Sequence, residues 1–335
     1  MNISIIIPVY NEAQGIEAFI RELLATAVRI QTRWSAKIEF VFIDDGSRDG
    51  SADVIRKLDF GPFSSRLFVM SRNFGKEAAL TAAMHKVENC DAAIMIDADL
   101  EHPPELMEKL IETWQTSDAD SVYYYKSDRR SREGLVKSSV SKMFYRLMNF
   151  GTNVEIIPDA GDYRLINAKF LDALKNLAEN QRFMKGLYSW VGFEQVGLPF
   201  APGERTAGTS NFSAIKLILL ALDGLTSFTT APLRLMMLGG LAISAISILY
   251  GLYIVVEALF FPGVPPGIAS ILTLISLFGG LQLLCLGILG EYVGRALHEA
   301  KGRPAYIIRE EIEIVTRKPS RSTRSRAKAK PKSTK

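Results

Sequence analysis

The chain has 335 residues, 48% of them hydrophobic, which is enough for one sizeable core and something more. Its formal charge of +4 is concentrated at the end: from Arg317 onward stand nine Lys and Arg and no acid, so residues 1–316 carry −5 and do not suggest a nucleic-acid-binding body. Two distant cysteines, Cys90 and Cys285, and three scattered histidines exclude a disulfide framework and a Cys/His metal set.

Met1 runs straight into ISIIIPVYNE, without a basic n-region or a small-residue cleavage site, so no secretory leader is expected. Residues 3–9 are apolar and β-branched and predict a first strand that stops at Pro8-Val9-Tyr10-Asn11-Glu12. Ile16, Phe19, Ile20, Leu23, Leu24 and Ala27 recur at helical spacing over 15–29. A second strand over 38–43 ends at Asp44-Asp45-Gly46-Ser47, and a short helix over 51–58 has Ser51 as its N-cap. A third strand over 67–70 leads through the loop Ser71–Gly75 into a helix over 76–87. Residues 92–96, five apolar residues between polar flanks, predict a strand buried on both faces. It ends in Asp97-Ala98-Asp99, and Pro103-Pro104 opens a helix that runs to 116. A fifth strand covers 121–125.

Alternating β and α elements predict a parallel sheet with right-handed crossovers. The strand ends then bring Tyr10 and Glu12, Asp44 and Asp45, and Asp97 and Asp99 to one edge, where open α/β sheets bind ligands. Side-chain alternation lets Asp97 and Asp99 share a side, and two carboxylates there suit a hard divalent cation that also takes phosphate oxygens. Each acid taken alone is ordinary turn chemistry; the convergence of three sets points to a site.

Lys126-Ser-Asp-Arg129-Arg130-Ser-Arg132 is basic, and the helix predicted over 135–150 sets Lys142 and Arg146 one turn apart. That helix fits a solvated face and an anion- or membrane-facing one equally. Residues 158–164 read as a tight loop carrying Asp162 and Arg164, 169–177 as a helix, 182–192 as a segment mixing aromatics with two cations, and 202–211 as a mobile polar loop. Over 212–230, Ile215, Ile218, Leu219, Leu222 and Leu225 form a stripe opposed by Lys216, Asp223 and Ser227, an amphipathic helix. Residues 235–256 and 268–290 are charge-free runs of about 22 and 23 residues, each long enough to cross a bilayer. Arg234 precedes the first; Arg295, Lys301 and Arg303 follow the second; the loop between has no Lys or Arg, which puts both termini in the cytoplasm. A short strand pair is expected over 306–315, and a disordered basic tail after it.

PVYNE, DDGSRDGS, SRNFGKEAALTAA, DADLEHPPEL, AGDYRL, RFMKGLYSWVGF and RTAGTSNF, in that order and followed by two apolar runs, resemble the family 2 glycosyltransferases, and within them the polyprenyl-phosphate sugar transferases. The resemblance covers roughly residues 3–303. It implies an α/β, Rossmann-like GT-A domain over 1–211, a juxtamembrane helix over 212–231, transmembrane helices over 232–259 and 268–290, a cytoplasmic segment over 291–316 and the tail over 317–335. It implies an inverting transfer from a nucleotide-sugar to a polyprenyl phosphate at the inner membrane, with glucose from UDP-glucose the first expectation by family frequency and mannose, an aminosugar or an amino-arabinose derivative left open. Mg²⁺ or Mn²⁺ is the implied cofactor and a homo-oligomer the implied assembly, with no nucleic-acid partner.

Roles carry over by position. Pro8, Tyr10, Glu12 and Asp45 match the base and ribose site, with Asp44, Lys76, Ala98 and Lys126 beside them on the donor. Asp97 and Asp99 match the metal–diphosphate motif, with Asp99 the expected direct ligand and Glu101 beside them a third candidate for the metal. Asp162 matches the acid at the acceptor, and Arg205 a diphosphate contact. Arg129, Arg130, Lys137, Lys142 and Arg146 are candidates for the acceptor phosphate. Three positions depart from the family pattern: Glu101 where Gln is common, Lys126 where Arg is common, losing bidentate geometry, and Asn211 where Lys is common. A dehydrogenase is excluded because PVYNEAQG supplies no G-x-G-x-x-G after the first strand. A non-catalytic scaffold would not need Asp97, Asp99 and Asp162 together.

Overall fold

The computed structural model describes residues 1–126, 160–180, 182–200, 231–260 and 267–314. Eight strands form one sheet: β1 (Asn2–Val9), β2 (Lys37–Asp44), β3 (Ser64–Met70), β4 (Ala92–Met95), β5 (Ser121–Lys126), β6 (Ala160–Asn167), β7 (Gln195–Phe200) and β8 (Ile308–Ile314), in the order β7-β5-β6-β4-β1-β2-β3-β8. β1 pairs in parallel with β2 and β4, and β2 with β3, as the alternating pattern predicts. The sheet is nevertheless mixed. β6 enters between β4 and β5, antiparallel to both, and β8 closes the β3 edge antiparallel.

Two apolar layers enclose the sheet. Ile5, Ile7, Phe40, Phe42, Ile94 and Leu165 face α1 (Ile16–Trp34), α2 (Ser51–Lys57) and α4 (Met107–Thr116). Ile6, Val41, Ile43, Phe68, Met95 and Ile166 face α3 (Lys76–Lys86), α5 (Ala168–Lys175) and α6 (Met184–Trp190). The period of two along each strand sends alternate residues to the two layers. The predicted helix from Pro103 starts as a 3₁₀ turn, Pro104–Leu106, before α4.

Three expectations change. Ser51 does not cap α2: it is the first helical residue, and Asp49 accepts its N–H at 3.0 Å and its hydroxyl at 2.6 Å. Asp162 and Arg164 lie in strand β6 rather than in a loop; Tyr163 and Leu165 fill one layer while the charged pair takes the other face, which breaks the apolar run that marks a strand. Residues 306–315 make one strand, not a pair, and its partner is β3.

α7 (Ala231–Phe260) and α8 (Ile268–Ala300) are helices of 30 and 33 residues, roughly 45 and 50 Å long. Within them Met236–Tyr253 and Leu277–Ala300 are apolar enough to cross a membrane, and none of either stretch is buried by the rest of the chain. α8 is followed directly by β8. Ile312 and Ile314 pack on the α1–α2 layer, and the bulge at Val69/Met70 turns Ile308 to the other one. Glu310 pairs with Arg56 and Glu311 with Lys86, at 2.8 Å, so the edge strand is held by charge on both faces.

Ile312→Asp should therefore loosen β8 and lower the melting temperature of the purified protein by several degrees, at roughly 2–4 °C for each kcal/mol lost in a domain of this size. Glu313→Gln, at an exposed position of the same strand, should leave it within a degree or so. Equal melting of Ile312→Asp and the parent protein would show that β8 adds nothing to the fold.

Candidate active site

The site is built by register. Val9 pairs with Asp44 and Ile6 with Met95, so the chain leaves β1, β2 and β4 at the same edge of the sheet. β6 runs the other way with Arg164 opposite Met95, so its first residues reach that edge beside the residues that follow β4. Asp162 and Asp97 thus come from adjacent strands onto the α3 face. Like charges across a strand pair repel. Lys76, the first residue of α3, answers both: its Nζ lies 2.7 Å from Asp97 Oδ2 and 2.9 Å from Asp162 Oδ2.

The loops behind this contact are fixed to one another. Asp45 accepts the N–H groups of Phe74 (2.7 Å) and Gly75 (2.9 Å), which sets the entry into α3 and hence the position of Lys76. Gly46 has φ +69°, and a Cβ there would stand 2.5 Å from the Arg72 carbonyl carbon, so only glycine lets the two loops touch. Asn11 donates its N–H to Ser47 Oγ and accepts that of Arg48, both at 2.9 Å; Glu12 donates its N–H to Ser51 Oγ at 2.9 Å, and Ala13 donates its own to Asp49 at 2.8 Å. On the far side Tyr163 donates its hydroxyl to the Pro103 carbonyl at 3.2 Å, holding the segment after Asp99.

The charges have distinct states. Burial raises the Asp162 pKa, but Lys76 and Lys185 outweigh it and hold the carboxyl below its ordinary value, so Asp162 is ionised. Its side chain is 19% exposed, and Oδ1 is buried with no hydrogen-bond partner among the described residues. Asp97 is raised by burial, against Lys76, with Asp162 and Asp99 adding to the rise. Glu12 is raised by burial and then by Asp99, Asp49 and Asp97, which puts its carboxyl in the field of the acidic pair. Burial lowers the Lys76 pKa, yet Asp162 and Asp97 hold the ammonium above its ordinary value.

The sequence-predicted residues fall into three groups. Glu12, Lys76, Asp97, Asp99 and Asp162 gather at the edge, with Tyr10 exposed beside them and Pro8 half-buried at the end of β1. Asp44, Asp45 and Ala98 are buried; Asp44 accepts the Ser47 N–H at 3.3 Å, and only the backbone of Ala98 is left to meet a ligand. Arg129, Arg130, Lys137, Lys142, Arg146 and Arg205 lie outside the described residues, as do the loop over 202–211, the helices predicted over 135–150 and 212–230 and the tail; of Lys126 only the backbone is described. Among the described residues no three carboxylate, imidazole or thiol side chains are gathered to hold an ion unaided. Asp99 is exposed and accepts the Glu101 N–H at 2.9 Å, with Leu100 at φ +58° making the turn. Carboxylates gathered at a strand end, with Lys76 paired to two of them, fit a hard ion that takes one or two protein oxygens and the rest from phosphate and water.

Three residues at the site, Arg164, Lys185 and Glu77, were not singled out as functional from the sequence. Arg164 is 1% exposed beneath the Tyr188 ring, 3.5 Å from its centroid, and donates to the Gly161 carbonyl at 3.2 Å. Lys185 adds positive potential at Asp162 and Glu77. Glu77 accepts the Met184 N–H at 3.1 Å, tying α6 to α3. The i, i+2 pair Asp162/Arg164 and the Arg182–Gly192 motif were the available signals.

Burial, and then Asp162, push the Glu77 carboxyl up to about 7 from an ordinary 4.5. An acid raised on folding stabilises the fold below its unfolded pKa and loses that contribution as pH rises through the folded one. Glu77→Gln keeps an acceptor for Met184 and has no charge to bury. Its melting temperature relative to the parent should therefore climb between pH 5 and pH 8; a flat difference would contradict this ionisation.

The sequence profile of Glycosyl transferase family 2 matches residues 4–175. The bactoprenol glucosyl transferase of Shigella phage SfV is 40% identical over 311 residues, 93% of this chain and 99% of that protein. The prophage bactoprenol glucosyl transferase homolog of Escherichia coli strain K12 is 38% identical over 309 residues, 92% of this chain and 99% of that protein. Among solved structures, mannosyl-3-phosphoglycerate synthase from Rubrobacter xylanophilus aligns at TM-score 0.43 and 17% identity over 67% of this chain and 71% of that one, too distant to argue from. The chain belongs to glycosyl transferase family 2 and is a glycosyltransferase of the GT-A fold.

Proposed function

We propose that this glycosyltransferase moves glucose from UDP-glucose to a polyprenyl phosphate at the cytoplasmic face of the inner membrane, with inversion at the anomeric carbon. The observation that carries the reading is the reach of the likeness to the bactoprenol glucosyl transferases: it runs through the catalytic sheet and both apolar helices. β8 supports the topology. It follows α8 yet belongs to the sheet that precedes α7, so a hairpin of two crossings leaves both on one side of the bilayer. The placement of Arg234, Arg295, Lys301 and Arg303 supports the cytoplasm as that side.

In this reading a phosphate oxygen of the lipid attacks the anomeric carbon, and the bond from that carbon to the nucleoside diphosphate breaks. The nucleophile is already anionic, since a phosphate monoester has a second pKa of about 6. A strong general base is therefore unnecessary, which fits an Asp162 held below its ordinary pKa. Asp162 acts instead as a fixed charge: it holds the Lys76 ammonium at the edge where donor and acceptor meet. Asp99 and Asp97 would hold Mg²⁺ or Mn²⁺, which when bound neutralises charge on the leaving diphosphate. Pro8, Tyr10 and Glu12 would frame the base and ribose, and Arg205 the diphosphate.

Purified protein given UDP-glucose, Mg²⁺ or Mn²⁺ and undecaprenyl phosphate should form the glucosyl lipid. EDTA in excess and Asp99→Ala should each abolish it; activity undiminished by both would remove the metal from this account. Product with another nucleotide-sugar only would move the assignment to that donor. As loss of a preorganised charge, Asp162→Asn should lower kcat by at least about a hundredfold, with donor affinity by calorimetry changed little. A collapse of donor binding would place Asp162 in the nucleotide site, and near-normal turnover would remove it from the chemistry.

A further inference from the structure

Lys76 is spent on the acidic edge itself. An ammonium 2.7 Å from Asp97 Oδ2 occupies a lone pair that a divalent ion would need, and its charge repels a dication arriving at Asp97 or Asp99. The same ammonium is anchored from behind by Asp162 at 2.9 Å, and its backbone by the Asp45 clamp on Phe74 and Gly75. Lys76 is thus held at the metal motif rather than swinging free, although its side chain is still 43% exposed and open to a ligand.

We infer that Lys76 is a built-in counter-cation that keeps the acidic edge from binding a divalent ion tightly on its own, so that metal and nucleoside diphosphate bind as a coupled pair. The inference rests on the donor assignment above. It concerns Lys76 as a positioning residue, not a new metal site. The physical reason is charge balance. Without nucleotide, Asp97 and Asp162 already have a partner, and a dication must displace or oppose it. A diphosphate brings negative charge of its own, gives the ammonium phosphate oxygens to contact, and frees Asp97 for the ion. By linkage the metal must then tighten nucleotide binding by the same factor as nucleotide tightens metal binding.

Mn²⁺ binding to the full-length protein in detergent, read from the spin-resonance signal of free Mn²⁺, tests this without sugar or lipid. The parent protein should bind Mn²⁺ weakly alone and at least about tenfold more tightly with UDP. Lys76→Met should bind Mn²⁺ alone at least about tenfold more tightly than the parent and gain little from UDP. Lys76→Gln keeps a hydrogen-bond donor without the charge, so it serves if Lys76→Met fails to fold, and it should move in the same direction. Lys76→Arg keeps the charge and should behave as the parent does. Neutral variants that bind Mn²⁺ no more tightly than the parent would overturn the inference. Because no acceptor takes part, that result is separate from a failure of glucosyl transfer, which would overturn only the proposed reaction.

Discussion

The site depends on one ammonium placed between two carboxylates. Asp97 follows β4, Asp162 is the third residue of β6, and the antiparallel register sets them side by side, an arrangement that costs energy unless a cation stands between them. Lys76 is that cation, and its position is set by backbone rather than by its own flexible stem: Asp45 fixes the two amides that precede α3, and Gly46 lets the supporting loop come close enough. Asp97, Asp162 and the loop after β3 are therefore one electrostatic unit. Glu77 and Lys185 extend it to α6, and Arg164 underlies it, buried beneath Tyr188.

The same constraint links the sheet to the apolar helices. β8 hydrogen-bonds along β3, and the Ile307 carbonyl accepts the Ser71 N–H at 2.9 Å, one residue past the end of β3 and at the start of the loop that leads to Lys76. Asn180 donates to the Glu299 carboxylate at 3.2 Å, tying the end of α8 to the segment before α6. A hydrophobic helix whose apolar stretch Leu277–Ala300 is left unburied among the described residues is thus joined at its polar end to both segments that flank the charged unit. A transferase whose acceptor stays in a bilayer needs such a connection, because the height of the site above the lipid then follows from the fold.

Much of this was legible in the sequence. Apolar, β-branched runs ending in acids gave β1, β2 and β4 and their common edge, because a parallel strand buried on both faces has few ways to be written. Asp97, Asp99 and Asp162 were legible as motifs. β6 was not legible as a strand, since Asp162 and Arg164 interrupt its apolar pattern, and the charges are tolerated only because Lys76 and Tyr188 meet them from other elements. β7, with Gly197 and Pro199, carries residues that usually argue against a strand. β8 alternates Ile and Glu as a strand should, but its partner lies more than two hundred residues away, and no local signal names it. The Lys76 bridge was illegible for the same reason: spacing in sequence says nothing about which two of several acids a lysine will find.

The most direct test of this account is a double-mutant cycle on Lys76 and Asp162, measured as kcat for glucosyl transfer to undecaprenyl phosphate with Lys76→Gln, Asp162→Asn and the double variant. If the two residues act as one unit, the double variant should be about as slow as the slower single variant, far from the product of the two losses. Losses that multiply would mean that the ammonium and the carboxylate act independently, and would contradict the account at its centre.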